Sequence, residues 1–267
     1  MKMKMSIITI SLNSENFIEQ TIRSVIGQEY RDIEYIIVDG GSDDGTVDII
    51  RQYAEKDERI KWVSEPDNGI SDAMNKGVDM ATGKYFAHLH SDEYYLDAKV
   101  VTDVASVLES APEQVWLTAG FHFVDEAGRF IREIGVRRYS FSRLMRGNII
   151  LHPATFIRRD AFKALGGFDL TLHYCMDYHL WLRLGALADP KVLHRSLAGF
   201  RIHPGSRSIA DAGSAYVEEF KVRMEFLKKH HMWDFPYRIE YAVKKRMNRI
   251  FIKRLLSATE KIGPNYQ

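Results

Sequence analysis

A single cysteine, Cys175, stands in a chain of 267 residues, so no internal disulfide can form. That excludes a disulfide-scaffolded secreted domain and makes a reducing compartment the expected setting. No window approaches the roughly 18 apolar residues that a membrane span requires. The start of the chain, Met1 to Leu12, has charges followed by only eight residues of mixed Ser, Thr and apolar character. It is too short for a signal h-region and lacks a small-residue cleavage site, so a soluble, cytoplasmic chain is expected. Net charge is also missing: 37 basic and 36 acidic residues leave +1, and the total points to no nucleic acid, membrane or acidic substrate. After the first predicted strand stands Ser11-Leu12-Asn13-Ser14-Glu15-Asn16, not the G-x-G-x-x-G that a dinucleotide oxidoreductase needs. A glycine-rich phosphate loop near the N-terminus, which a sugar nucleotidyltransferase would want, is absent too. The ten histidines show no zinc-type spacing, and no repeat or low-complexity linker divides the chain.

The sequence does have globular composition, 45% hydrophobic and 27% charged, which excludes disorder and collagen. Short apolar runs at 6–12, 33–39, 60–64 and 85–90 alternate with helical spacing at 15–26, 46–54 and 71–80. Ser14 and Thr46 stand where N-caps belong, and Gly27 and Gly83 just past helix ends. Strict alternation predicts βαβ units and a mainly parallel sheet flanked by helices. Beyond it the pattern changes to a helix over 97–110, a hairpin of 115–124 with 129–134, a strand over 152–158, a helix over 176–187 and a strand over 192–203. These read as antiparallel additions to the same sheet. The expected organisation is a catalytic-sized domain over 1–220, with halves 1–95 and 96–220, followed by a helical tail over 221–267.

Open α/β sheets bind ligands at the carboxyl ends of their strands. Asn13 follows the first strand, Asp39 ends the second beside Gly40-Gly41, and Ser91-Asp92-Glu93 follow the fourth. Asp39 is suited to accept hydrogen bonds from a base or ribose, and Asp92 to hold a hard divalent cation. The same residues are also ordinary turn formers, and only their common register on one sheet edge favours the functional reading.

These residues carry a resemblance. SLNSENFIEQTIRSVIGQ with IEYIIVDGGSDDGT, then EPDNGISDAMNKGVDMATGKYFAHLHSDE, then HPATFIRRDAFKALGGFDLTLHYCMDYHLWLRL occur in the order found in inverting family 2 glycosyltransferases of the GT-A fold. The likeness covers about 6–208 and is near the subgroup that builds bacterial surface polysaccharides. It implies a Rossmann-like nucleotide-diphospho-sugar transferase fold and a donor site of Ser11, Asn13, Asp39, Asp67, Asp72, Asn75 and Lys76. Lys76 would offset diphosphate charge, or would be only a solvated helix residue. The metal motif departs from the pattern: His90-Ser91-Asp92 replaces Asp-x-Asp, with His90 at the first acid and Glu93 at the acid that often follows. Asp92 keeps the metal position, adequate for Mg2+ or Mn2+ with diphosphate oxygens and water.

Asp177 matches the catalytic acid of the family in Asp-Tyr-x-Leu-Trp-Leu-Arg. Inversion by direct displacement needs a base for the acceptor hydroxyl on the face opposite the leaving diphosphate, and Asp177 is the candidate. By residue type alone it is equally an N-terminal helix acid. Arg201 and His203, in Arg201-Ile202-His203-Pro204-Gly205-Ser206, correspond to a loop that closes over the diphosphate or metal. Asp169 reads as a turn or cap residue and Cys175 as a buried spacer.

Over 221–267, twelve Lys and Arg face four acids, so the tail carries +8 and residues 1–220 carry −7. Ile239, Val243, Met247, Phe251 and Leu255 recur at i+4 amid the basic residues. Such a helix either docks on an anionic membrane surface or packs its stripe on the body. The implied function is metal-assisted transfer of a sugar from a nucleoside-diphosphate sugar, a UDP-sugar by expectation, to a glycan or lipid-linked acceptor. Localisation would then be cytoplasmic, peripheral at the inner face of the membrane. Two rivals stand beside it. A non-catalytic sugar-nucleotide-binding protein is suggested by His90, and a nucleic-acid binder by the basic tail, the latter opposed by the acidic body.

Overall fold

A computed structural model describes residues 3–135, 138–203 and 212–243. The first third alternates β1 (Met5–Ser11), α1 (Ile18–Ile26), β2 (Ile33–Asp39), α2 (Thr46–Ala54), β3 (Ile60–Ser64), α3 (Ile70–Met80) and β4 (Tyr85–His88). Strand β1 pairs in parallel with β2 on one side and with β4 on the other, and β3 lies outside β2. All seven residues of β1 and of β2 are buried, as strands covered by helices on both faces must be, which is why they read as near-continuous apolar runs. Helix α3 approaches the sheet closely at Gly77, where a Cβ would overlap the Ile8 side chain. Close packing there holds the first turn of α3 at the sheet edge.

The rest of the chain continues the same sheet. It comprises β5 (Tyr94–Tyr95), α4 (Val100–Glu109), β6 (Trp116–Val124), β7 (Phe130–Ile134), α5 (Phe141–Leu144), a 3-10 turn at His152–Ala154, β8 (Thr155–Arg158), α6 (Arg159–Ala164), α7 (Met176–Leu187), β9 (Lys191–Arg201) and α8 (Ala212–Lys229). Strand β8 joins β4 antiparallel, β6 joins β8 antiparallel, and β7 forms the hairpin with β6. Strand β9 runs parallel to β6, a departure from the purely antiparallel additions expected, and β5 closes against β9. The described residues thus build a nine-stranded mixed sheet, eight strands in the order β3-β2-β1-β4-β8-β6-β9-β5 and β7 paired with β6 beside that path.

Several expected boundaries move. Helix α1 starts at Ile18, and Ser14 is not its N-cap: its hydroxyl donates to the Leu12 carbonyl and meets the Ser91 hydroxyl at 2.7 Å. Thr46 is the first residue of α2, its N–H bonded to Asp44 Oδ1 at 2.9 Å, while its hydroxyl accepts from Ser14 N–H at 2.7 Å. Both hydroxyls therefore tie loops together across the sheet edge. The chain divides into two compact units, Met1–Glu219 and Phe220–Gln267. In the second, Ile239 and Val243 are exposed, and Met247, Phe251 and Leu255 lie outside the described residues. No helix among the described residues is long and apolar enough to cross a membrane.

At the end of the sheet remote from the ligand edge, Glu34 is buried beneath a ring of donors. The Ser6 hydroxyl donates at 2.6 Å, Thr82 donates from both its N–H and its hydroxyl, and Gly83 N–H donates at 2.9 Å. Lys61 and Lys4 approach at 3.2 and 3.5 Å. Burial pushes the carboxyl up, but these donors overturn it and bring Glu34 from its ordinary 4.5 down to about 2. A depressed carboxyl stabilises the fold fully above its unfolded value and loses that contribution as pH falls from about 4.5 towards 2. Urea titrations should show wild-type stability declining by about 3 kcal/mol across that window, and Glu34→Gln should flatten the decline. An unchanged pH slope in the variant would remove Glu34 as its source.

Candidate active site

Three parallel strands end in register at Ser11, Asp39 and Ser64. The Asp39 carboxylate, wholly buried, lies between them. Its Oδ1 accepts from the hydroxyls of Ser11 (3.0 Å) and Ser42, and its Oδ2 from Gly41 N–H (3.1 Å), Ser42 N–H (2.9 Å) and the Ser64 hydroxyl (2.7 Å). Both Asp39 oxygens are hydrogen-bonded within the chain itself, because a carboxylate sealed from water needs its lone pairs satisfied. Asn13 follows β1 in the left-handed conformation, φ 49°, which Asn tolerates. Its side-chain oxygen accepts from Asp43 N–H at 3.0 Å, and its own N–H donates to the Ser42 hydroxyl at 2.8 Å.

Over this floor opens a cleft of about 380 Å3, walled by Ile10 to Ser14, Phe17, Asp67, Gly69, Ile70, Ala73, His90 to Asp92 and His203. It brings together Ser11, Asn13, Asp67, Asp92 and His203 from the expected set. Gly69, at φ 102°, turns the chain into α3 along this wall. The other α3 residues are employed elsewhere. Asp72 accepts from Asn68 N–H at 2.9 Å, and Lys76 pairs with Glu65 at 2.7 Å. Asn75 exchanges two hydrogen bonds of 2.9 Å with the backbone of Phe168.

The loop after β4 carries the altered metal motif. Asp92 faces the cleft, and the His203 Nε2–H donates to its Oδ2 at 3.0 Å. The His203 ring rests on Phe17, centroids 4.9 Å apart. Glu93 turns inward instead and accepts from His90 N–H at 2.8 Å; burial, then the neighbouring Asp92 charge, pushes it well above the usual carboxylate range. Thr21 of α1 anchors the loop by donating to the carbonyls of Ser91 and Glu93. Arg201 comes from β9 to the same loop. It is buried, with its guanidinium donating to the carbonyls of Asp92, Asp125 and Glu126 and to Gln20, and stacked over Phe17 at 4.9 Å. A fork so engaged holds the hairpin, the loop after β4 and α1 together. Pro204, Gly205 and Ser206 of its expected loop lie outside the described residues.

Asp177 lies in the first turn of α7. Its Oδ2 accepts from the Asn148 side chain at 3.0 Å and its Oδ1 from Tyr178 N–H at 2.6 Å. Burial outweighs these donors and pushes the carboxyl up to about 6. Asp169 accepts from the N–H and hydroxyl of Thr171 within its turn, and Cys175 is buried. Sequence reasoning missed four residues around Asp177. Asn148 is one. Glu218 is another: it accepts from three successive N–H groups, those of His173, Tyr174 and Cys175, at 3.0, 2.6 and 2.7 Å, and so shapes the loop that enters α7. The last two are His152 and Trp181, whose rings join this region to His90. No local signal marks Asn148 or Glu218, since their partners are 29 and more than 40 residues away. His152 and Trp181 were legible only as members of the quoted motif.

Replacing Asp39 tests its role directly. Asp39→Ala leaves five donors without their acceptor and should lower unfolding stability by about 3 kcal/mol or more in urea titration. A loss below about 1 kcal/mol would remove Asp39 as the tie between the strand ends.

Comparison with known proteins matches this architecture. The family model described as glycosyl transferase family 2 matches residues 6–166. An uncharacterized glycosyltransferase of Mycobacterium tuberculosis is 30% identical over 200 residues, 73% of this chain and 74% of its own length. One of Rickettsia typhi is 27% identical over 232 residues, 84% of this chain and 71% of its own. Among solved structures, S. aureus TarS in complex with UDP-GlcNAc superposes with TM-score 0.64 at 18% identity, covering 85% of this chain and 72% of that one. The mannosyltransferase PcManGT from Pyrobaculum calidifontis, in complex with GDP-Man and Mn2+, gives 0.65 at 17% identity, covering 84% and 65%. The parallel sheet with its ligand edge at β1 and β4, the family match over more than half of the sequence and the shared fold together establish that the chain belongs to glycosyl transferase family 2 and is a glycosyltransferase of the GT-A fold.

Proposed function

We propose that this enzyme moves a hexosyl group from a nucleoside-diphosphate sugar to a hydroxyl of a glycan or lipid-linked acceptor in bacterial polysaccharide assembly, inverting the anomeric centre. The carrying observation is the Asp177 carboxyl, at the start of α7, with its affinity for a proton raised to about 6. A base there is ionised at neutral pH and basic enough to take the acceptor proton as the new bond forms. Asn148 and the Tyr178 N–H hold the carboxylate in one orientation. The UDP-GlcNAc of TarS and the GDP-Man of PcManGT support a nucleotide-sugar donor, with a UDP-sugar the expected one.

The Mn2+ of PcManGT supports a divalent cation as well. No three His, Cys, Asp or Glu side chains meet among the described residues in a way that could hold an ion. Asp92 alone, with the donor's diphosphate oxygens and water, suits the hard and well-hydrated Mg2+ or Mn2+. When bound, such an ion offsets the charge that accumulates on the departing diphosphate. His203, bonded to Asp92, orients that carboxylate, and Ser11 and Asn13 line the donor side of the cleft.

The second unit supports an acceptor at an anionic membrane. Trp233 is 74% exposed and Phe235 and Met232 are exposed beside it, within a tail whose sequence carries +8. Localisation at the cytoplasmic face of the membrane follows from that reading.

Two measurements test the proposal. Transfer assays across nucleotide sugars, with Mg2+, Mn2+ or EDTA, should show kcat/KM rising with pH to a plateau through an apparent value near 6, since the protonated carboxyl is inactive. Asp177→Asn should lower the rate by 10²-fold or more and keep donor affinity; a variant with full activity would sink the mechanism. Donor binding without transfer by the wild type would favour a non-catalytic sugar-nucleotide binder. Separately, vesicles containing anionic lipid should co-sediment the chain at low salt and neutral vesicles should not, with Trp233→Ala weakening the association. Equal partitioning to both vesicle types would exclude the electrostatic surface role.

A further inference from the structure

Between the cleft and Asp177 runs a row of rings, and two of their nitrogens have no hydrogen-bond partner among the described residues. His90 forms part of the cleft wall, and its ring centroid lies 5.3 Å from that of His152. The His152 ring lies 5.5 Å from that of Trp181. Nε2 of His90 and Nε2 of His152 are closed off from solvent and lack a hydrogen-bond partner among the described residues. The Trp181 indole N–H bonds to Asp177 and favours its ionised form, so the row reaches from the Asp92 side of the cleft to the proposed base.

Such nitrogens are costly to leave without partners. A buried donor or acceptor without a partner costs about 1–3 kcal/mol, and a core of apolar side chains would avoid it. Packing cannot be rearranged easily to relieve the row. His152 lies edge-on to His88 at 5.6 Å and against Phe168 at 5.9 Å, and Trp181 is stacked on Trp116 at 5.9 Å with the rings 1° from parallel. The row is therefore held in place with hydrogen-bonding capacity unspent.

Displacement with inversion dictates what occupies the space beside it. The departing diphosphate and the base must lie on opposite sides of the anomeric carbon, so the transferred ring sits between the Asp92 and Asp177 sides. Resting on the reading of this chain as a nucleotide-sugar transferase, we propose that Nε2 of His90 and Nε2 of His152 receive hydroxyls of the transferred glycosyl group and thereby select the donor sugar. A neutral imidazole offers one donor and one acceptor, and a sugar hydroxyl answers either. Burial, reinforced by the neighbouring imidazoles, holds His152 well below its ordinary range and so in the neutral form. Selectivity follows because a sugar with a hydroxyl of the wrong orientation leaves these buried nitrogens unpaired.

Calorimetric titration separates this role from a structural one. Wild type and His152→Phe, which keeps the ring packing and deletes Nε2, are titrated in Mg2+ with UDP, GDP, UDP-glucose, UDP-galactose, UDP-N-acetylglucosamine and GDP-mannose. The quantity read is the gain in affinity of the best sugar nucleotide over its own nucleoside diphosphate. His152→Phe should bind the diphosphate within about twofold of wild type, lose about three- to tenfold of the sugar's gain, and discriminate less among hexoses. His152→Gln should recover part of the gain, and His90→Phe should behave as His152→Phe does, which keeps the test available if one variant folds poorly. A sugar gain and hexose ranking unmoved in both phenylalanine variants would overturn the proposal, as would equal weakening of diphosphate and sugar nucleotide. Wild type that binds none of the nucleotides would overturn the transferase reading itself, and this inference with it.

Discussion

One buried carboxylate sets the ligand edge of this enzyme. Asp39 stands between Ser11 and Ser64 in the register of three parallel strands, and accepts hydrogen bonds from both of them and from the turn that follows its own strand. Those bonds align the carboxyl ends of β1, β2 and β3. The loops that leave these ends are then brought to one edge. Asn13 is bent into the left-handed conformation against Ser42 and Asp43, and Ser14 bridges Thr46 and Ser91. The cleft is the space left between these loops and the first turn of α3.

The second half of the domain is joined to that edge by side chains distant in sequence. Asn75 clamps the Gly166-Gly167-Phe168 turn to α3 through the Phe168 backbone, and Arg201 gathers the loop after β4, the β6–β7 hairpin and α1 onto one guanidinium. Glu218 organises the three N–H groups ahead of α7. Several residues near the chemistry therefore act by positioning those that face the cleft, and their replacement would be felt as lost stability before lost binding. Burial then assigns protonation states along the path from Asp92 to Asp177. It keeps His88 and His152 neutral, raises Glu93, and lifts Asp177 to about 6, the range that its proposed role as base calls for.

Periodicity, turn residues and motif order in the sequence by themselves determined the alternating strands and helices of residues 5–88, the β6–β7 hairpin and α7, because hydrophobic spacing is a local property that burial on one or two faces imposes. The same reading placed Ser11, Asn13, Asp92 and His203 at one site, and all four line the cleft. What the tertiary structure alone decided is how each polar group is spent. Asp39, Lys76 and Arg201 look in sequence like ligand contacts, and the fold gives each of them partners within the chain, Ser64, Glu65 and Gln20 among them. Strand β9 runs parallel to β6, and the His90, His152 and Trp181 rings meet, through pairings dozens of residues apart that no local pattern records. A hydrogen bond satisfied inside the fold and one held open for a ligand use the same residue types, so only the positions of their neighbours in space can tell them apart.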